Sequence, residues 1–472
     1  LRLVTRQWAH RSCVVLIVCA SCSAPAPPLD AGDAHGADAL DDGAALDVAT
    51  TDARPLRDAA AIDRADVPLA PRCYGISSTP GLLEHVGSIP RDSWASSNGA
   101  SGCVGDVDND GSREFILLRM NEPSELIGAD LCSRGRVLLP DFARDCVIAD
   151  VDGAPGNELV VLSSVGWTAE SFVTIGRVRP ATVMDQRLEP FVFADSTRLD
   201  ERRPVSPIGA PHIAVTDLDG DRSPELAVSG NFPSAFARVW QRSGAQPWTP
   251  VFAQDLVTVM DDSHGWLVGD ADGDGAPEAL LLGNCAAGGQ HLIRRFDRWS
   301  SDASHDTPVS GPVHAALAEL DGVAPRELVT IERVHCNERR PVPSTALRVR
   351  RWDSATRQFA PIASLVAERP PNELVYVAAM DLVGTDAHEI IQCSSPVGAP
   401  SFPRTCRAFS FDAGRSPALR PEPSQEAPFT WVSPARRVVL SSVLVDDLDG
   451  DGARELFLMG QDHVDVLRGP RR

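Results

Sequence analysis

Between residues 73 and 472 the apolar positions fall in short runs separated by polar bends, with no helical stripe of useful length. Ile213-Ala-Val-Thr216, Leu226-Ala-Val228, Ala237-Arg-Val-Trp240 and Pro250-Val-Phe252 form one such group. Trp266-Leu-Val-Gly269, Ala279-Leu-Leu-Leu282 and Leu292-Ile-Arg-Arg-Phe296 form the next, with its fourth run unclear. Runs this short predict strands. Several are continuously apolar, as expected of strands covered on both faces. The pattern predicts an all-β domain of about 400 residues, enough for a sizeable core.

The bend after the first run of each group is the most regular feature of the chain. Seven times an acid is followed eight residues later by Glu: Asp106…Glu114, Asp150…Glu158, Asp217…Glu225, Asp270…Glu278, Glu319…Glu327, Asp381…Glu389 and Asp447…Glu455. These are turns 1 to 7, with positions 1 to 9 in each. Turns 1, 3, 4 and 7 carry acids at positions 1, 3, 5 and 9: Asp106, Asp108, Asp110 and Glu114; Asp217, Asp219, Asp221 and Glu225; Asp270, Asp272, Asp274 and Glu278; Asp447, Asp449, Asp451 and Glu455. Ca²⁺ takes about 6–8 oxygen ligands, and alternating acids on a curled backbone can supply them. Gly at position 6 permits the bend; turn 3 has Arg222 there, with Gly220 at position 4. An EF-hand closes with Glu at position 12, so Glu at position 9 followed by a strand disfavours that module. Four uncompensated carboxylates resist closure, so metal binding and local folding are expected to be coupled. Turns 2, 5 and 6 place Ala154, Val323 and Thr385 at position 5. They are expected to hold their shape by hydrogen bonds and packing instead.

The first acids recur about every 57 residues, a period compatible with four-stranded propeller blades. The repeated turn resembles the FG-GAP/VCBS repeats of integrin-type propellers over roughly residues 73–472. The resemblance implies a β-propeller with one repeat per blade, seven blades for the seven turns, and the turn joining two strands of its blade; turns 1, 3, 4 and 7 are the expected calcium-binding loops. In that family the closing acid is often Asp; here it is Glu in every copy. The last repeat supplies only three runs, Ser442-Val-Leu-Val445, Leu456-Phe-Leu458 and Val464-Asp-Val-Leu467. Residues 82–89 are therefore expected to complete it and close the ring.

The start of the chain reads differently. Residues 1–22 combine Arg2, Arg6 and Arg11 with the apolar run 13–20, too short to span a bilayer. Cys19-Ala-Ser-Cys22 resembles a bacterial lipobox, with Cys22 as the lipidated residue. Export to the cell envelope is expected, as an outer-membrane lipoprotein or in secreted form. Residues 23–71 are rich in Ala, Asp and Pro and are read as a disordered tether; the propeller is expected over 72–472.

Net charge is −21, which disfavours nucleic acid and anionic polysaccharide as partners. Beyond Cys22, eight cysteines remain, an even number that fits disulfides in an exported chain. Short loops favour Cys132–Cys146 and Cys393–Cys406, and Cys285 and Cys336 are candidates for a staple between neighbouring repeats. No metalloprotease, nucleophile-elbow or phosphate-loop motif is present. The tryptophans Trp167, Trp240, Trp248, Trp266, Trp299, Trp352 and Trp431 are candidates for blade packing or for a sugar-binding surface. Residues 180–211 and 394–436 read as Pro-rich insertions able to carry recognition. The expected function is recognition of a protein or glycan at the cell surface, with a membrane contact through the lipid only. A polysaccharide lyase or hydrolase on the same scaffold and a purely structural envelope protein stay open as alternatives.

Overall fold

In the computed structural model the chain forms a compact unit over Pro68–Arg472. The structure describes residues 72–75 and 84–90, and most of the stretches between 102 and 469. The segments read as an export signal and tether, with Cys22, lie outside the described residues. No helix among the described residues is long and apolar enough to cross a membrane.

All the described elements are strands, and they build a β-propeller. The strands hydrogen-bond into six sheets. Three hold four consecutive antiparallel strands, running from His212–Thr216 to Thr249–Asp255, from Ser263–Gly269 to His305–Val309, and from Pro312–Ala318 to Gln358–Glu368. A five-stranded sheet begins at Glu373–Met380. The last sheet joins Leu440–Asp446, Glu455–Gly460 and His463–Arg468 to Glu84–Pro90.

The remaining eight strands make one sheet where two separate blades were expected. Its halves run from Gly102–Gly105 to Ser133–Val137 and from Ala143–Ala149 to Phe191–Pro204. One parallel pair, Val137 with Phe191, connects them. The expectation of seven separate blades is corrected to six sheets on this account. The cause is the length of Phe191–Pro204, a 14-residue strand whose first residue reaches the neighbouring repeat. The insertion read at 180–211 thus contains a long paired strand, Phe191–Pro204, with Val173 opposite Leu199 and Val178 opposite Phe193. The insertion at 394–436 likewise contains Arg404–Phe411, Leu419–Pro421 and Phe429–Trp431. Proline marked these segments as loops, yet the described ones, Pro180, Pro204, Pro396 and Pro421, sit at strand ends, where a missing N–H is harmless.

Apolar clusters fill the spaces between neighbouring sheets. Leu218, Val239 and Leu281 share one; Leu280, Leu328 and Phe359 share the next. Val349, Val377 and Phe409 continue the circle, followed by Met380, Ile391 and Leu456. Phe115 and Phe457 stack with ring centroids 4.8 Å apart, joining the first sheet to the last. The two halves of the eight-stranded sheet also pack on each other through Ile116, Leu126, Leu159 and Val161. Trp240, Trp248, Trp266 and Trp352 belong to these clusters, whereas Trp167 and Trp299 lie outside the described residues.

Residues 84–90 close the ring as expected. Glu84–Pro90 pairs antiparallel with His463–Arg468 from Glu84 opposite Arg468 to Pro90 opposite His463. The exposed edge of the last sheet is thereby covered. Ile89 is fully buried in the seam.

Three disulfides are present among the described residues: Cys73–Cys132, Cys103–Cys146 and Cys393–Cys406. The third matches the short-loop expectation. The Cys132–Cys146 pairing is corrected, because Cys132 faces the segment carrying Cys73 across an antiparallel bridge. Cys146 instead meets Cys103 from the other half of the sheet, so this bond links the two repeats. Cys285 and Cys336 lie outside the described residues.

Candidate metal sites

Each turn follows an innermost strand and re-enters its sheet at the Glu of position 9. That Glu does the same work in all seven copies. Its Oε2 accepts the backbone N–H of position 2: Val107 at 3.2 Å, Val151 at 3.0 Å, Leu218 at 2.6 Å, Ala271 at 2.7 Å, Leu320 at 2.9 Å, Leu382 at 2.6 Å and Leu448 at 2.8 Å. All seven Glu side chains are buried, and so are all seven apolar residues at position 2. A carboxylate is needed here because a buried N–H without an acceptor is costly. Glu reaches across the turn where Asp, one methylene shorter, falls short. One oxygen of the Glu expected to finish a metal shell is thus committed to the turn itself, which leaves Oε1 for a cation.

The acids at positions 1, 3 and 5 brace the backbone in the same way. In turn 4, Asp270 accepts N–H bonds from Gly273 at 2.6 Å and Gly275 at 3.1 Å, and Asp272 accepts one from Asp274 at 3.1 Å. Asp274 accepts one from Ala276 at 2.8 Å. Turns 3 and 7 repeat the set. Position 6 is left-handed in turns 1, 3, 4 and 7, with φ of +90° at Gly111, +88° at Gly275 and +86° at Gly452. Arg222 adopts +73° at the same place and gives its N–H to Asp217 at 2.9 Å. The third turn therefore keeps the common geometry at a steric cost that glycine would not carry. Arg222→Gly is expected to stabilise the fold by about 1 kcal/mol, offset in part by the freer unfolded chain. Chemical denaturation checks it; a lower midpoint would contradict the strain argument.

Neighbouring turns also touch. Position 8 of one turn donates to the position 1 carbonyl of the turn before it: Asn157 Nδ2 to Asp106 at 2.9 Å, Arg326 N to Asp270 at 3.2 Å and His388 N to Glu319 at 2.8 Å. The bends thus brace one another.

The structure gathers the acids unevenly. Turn 4 alone brings all four predicted residues, Asp270, Asp272, Asp274 and Glu278, within 4.8 Å of one another. Turns 1, 3 and 7 gather positions 1, 3 and 9: Asp106, Asp108 and Glu114; Asp217, Asp219 and Glu225; Asp447, Asp449 and Glu455. Asp110, Asp221 and Asp451 are not members of these groups. Turn 2, expected to be degenerate, gathers Asp150, Asp152 and Glu158 just as closely. Val323, Val383 and Thr385 lie outside the described residues. These acidic clusters could hold a metal ion.

Arginines that the sequence reading passed over divide the turns into two kinds. In four turns a guanidinium from the third strand of the sheet bridges positions 3 and 9. Arg177 lies 3.2 Å from Asp152 and 2.7 Å from Glu158. Arg295 bonds Asp272 and stands 3.2 Å from Glu278, stacked 4.3 Å above Trp352 of the next sheet. Arg351 lies 2.5 Å from Asp321 and also bonds Glu327. Arg468 lies 2.9 Å from Asp449 and 2.6 Å from Glu455. A recurring Arg within or just after the third apolar run was the available signal, masked by the fact that every Lys or Arg position here is Arg.

Among the described residues no guanidinium bridges turn 1 or turn 3 in this way. Gly128 and Gln241 stand at the corresponding places, opposite or next to Glu114 and Glu225 in register. Gln241 donates to Asp219 at 2.7 Å, which supplies no charge. In these two turns a buried oxygen is left without a hydrogen bond, Asp106 Oδ1 in turn 1 and Glu225 Oε1 in turn 3. Glu225 is only 1% exposed. Burial first, then the neighbouring aspartates, pushes Glu114 and Glu225 up to about 7. Burial raises Glu278 to about 7 as well, against the pull of Arg295. Oxygen-only donors, missing partners and raised carboxyls fit a hard divalent cation such as Ca²⁺.

No protein-family profile and no curated protein sequence matches the chain. Solved structures with a similar course of chain include the extracellular domains 1–2 of Drosophila Semaphorin 1a, at 9% identity and a TM-score of 0.49, covering 83% of this chain and 88% of that one. BBS1N in complex with ARL6DN is similar at 11% identity and a TM-score of 0.49, over 83% and 98% of the two chains. The lectin BP39L from Burkholderia pseudomallei is similar at 11% identity and a TM-score of 0.43, over 79% and 97%.

Proposed function

We propose that this chain is an exported, calcium-braced propeller acting as a recognition or adhesion module at the cell surface, tethered through lipid on Cys22. In this reading the eight-stranded sheet counts as two fused blades, so that seven loop-bearing units complete the ring. One observation carries the metal assignment: the hydrogen-bonded frame of turn 3 is complete except for one buried carboxylate oxygen, Glu225 Oε1, within an all-oxygen cluster. Three disulfides are consistent with export to an oxidising compartment. Metal and cross-links together would hold the loops of a rigid scaffold for binding, a common use of propellers. When bound, Ca²⁺ would neutralise the clustered acids; Asp217, Asp219 and Glu225, and Asp106, Asp108 and Glu114, would hold it.

Calorimetric titration of the chelator-treated full chain with Ca²⁺ tests the metal assignment. Uptake is expected at turns 1 and 3 ahead of the arginine-bridged turns. At a Ca²⁺ concentration one hundred times Kd, about 2.7 kcal/mol of stabilisation is expected. Asp270→Ala, in the one turn that gathers four acids, is expected to destabilise more than Asp381→Ala. Absence of uptake overturns the metal reading. Protein and glycan arrays probed with the calcium-loaded chain test recognition, and silence on both overturns that part.

A further inference from the structure

The inner strands carry a second repeat, set back from the acids. Five residues before the first acid of turns 2, 3, 5, 6 and 7 stand Asp145, His212, His314, Tyr376 and Ser442. Every one can hydrogen-bond, although they sit in strands that are otherwise largely apolar. In turn 4 this place is Gly265, with Trp266 beside it. In four of the strands the pairing register slips one residue earlier, between Ala143 and Asp145, Ser263 and Gly265, Pro312 and His314, and Leu440 and Ser442. Such bulges re-aim the side chains that follow and are common beside binding sites.

Asp145, His212, His314 and Ser442 line one cavity of about 470 Å³ together with Trp266. Residues from the strands on several sides of the ring contribute, so the cavity lies on the axis. Its polar groups are held in place. Asp145 accepts the N–H groups of Cys146 and Ile213, each at 3.0 Å, and stands 3.8 Å from His212 Nδ1. His314 Nδ1 accepts the N–H of Val377 at 3.3 Å and its ring meets Tyr376 edge-on at 5.2 Å. Ser442 Oγ is buried with no hydrogen-bond partner among the described residues. Farther along, Arg113 is neutralised by Asp446 at 2.7 Å. That pairing leaves little attraction for an anion.

We infer that this axial cavity is a binding site for a small neutral polyhydroxylated ligand, of the size of a mono- or disaccharide. Its volume is within the range of small-molecule sites, which combine apolar walls with a few fixed polar groups. Sugars offer the complementary surface: hydroxyls for Ser442, Asp145 and the two histidines, and a C–H face for the ring of Trp266. The inference rests on the recognition reading above and names its ligand class and place.

Saturation-transfer NMR and calorimetry on the calcium-loaded full chain test it, with glucose, galactose, mannose, N-acetylglucosamine, maltose and lactose as probes. Saturable binding of at least one probe is expected. Ser442→Leu, which removes the hydroxyl and intrudes on the cavity, and Trp266→Ala, which removes the aromatic wall, are each expected to weaken it at least tenfold. Should either fail to fold, the milder His314→Gln is expected to weaken binding severalfold with an unchanged melting profile. No binding by any probe overturns the inference. Binding that survives within twofold in the folded variants overturns it too, and returns recognition to the surface loops. Recognition itself falls only if the arrays are also silent.

Discussion

Glu327→Ala is expected to destabilise the fold by about 3–5 kcal/mol, although turn 5 has few metal-type acids. Glu327 is fully buried. Its Oε2 accepts the Leu320 N–H at 2.9 Å, and its Oε1 accepts from Arg351 Nε at 3.0 Å. Alanine would leave a buried N–H without an acceptor, at about 1–3 kcal/mol, and remove a charge-assisted bond of about 1.5–3 kcal/mol. Arg351 would retain Asp321 at 2.5 Å, which limits the loss on that side. Glu327→Gln restores one acceptor but turns an amide NH₂ toward the guanidinium, so an intermediate cost of about 2 kcal/mol is expected. Denaturant midpoints measured in Ca²⁺ and in chelator should show the same loss. A loss that appears only when Ca²⁺ is present would make Glu327 a metal ligand and contradict its role as the brace of the turn.

The repeat was legible in the sequence because its acids, its spacing and its apolar runs agree with one another. Strand order, the all-β class and the use of residues 84–90 followed from periodicity and from a last repeat one strand short. The purpose of Glu at position 9 was not legible. Acids at positions 1, 3, 5 and 9 look alike to a ligand argument, and only burial separates Glu225 or Glu455 from Asp221 or Asp451. The arginines escaped because their partners lie 13 to 30 residues away in sequence, from Arg468 and Glu455 to Arg351 and Asp321. They meet only when the third strand folds back beside the second. Pairing of Phe191–Pro204 was obscured by nearby prolines and charges. The polar collar of Asp145, His212, His314 and Ser442 is spaced by the same repeat, but scattered histidines carry no signal until the ring places them on one axis.

Removing residues 72–90 is expected to lower the melting temperature by about 10 °C or more, the largest single effect within the domain. Several losses add. Cys73–Cys132 closes a separation of 59 residues, and losing a native disulfide costs about 2–4 kcal/mol. Ile89 leaves the core, a further ~2–3 kcal/mol. Asp465 is fully buried and takes the Ser88 hydroxyl at 2.6 Å, with His463 Nε2 at 3.0 Å and His85 Nε2 at 3.5 Å. Without Ser88 and His85 that carboxylate keeps fewer partners, costing about 1–3 kcal/mol. Tyr74 goes as well, with its 2.7 Å bond to Glu125. These terms sum to several kcal/mol against a ring that must also expose the edge of His463–Arg468, so increased aggregation is expected alongside the lower transition. Cys73→Ala separates the contributions: it should account for only the disulfide share and leave the strand paired. An unchanged transition in the deletion would mean that the ring holds without its seam, and the closure argument would fail.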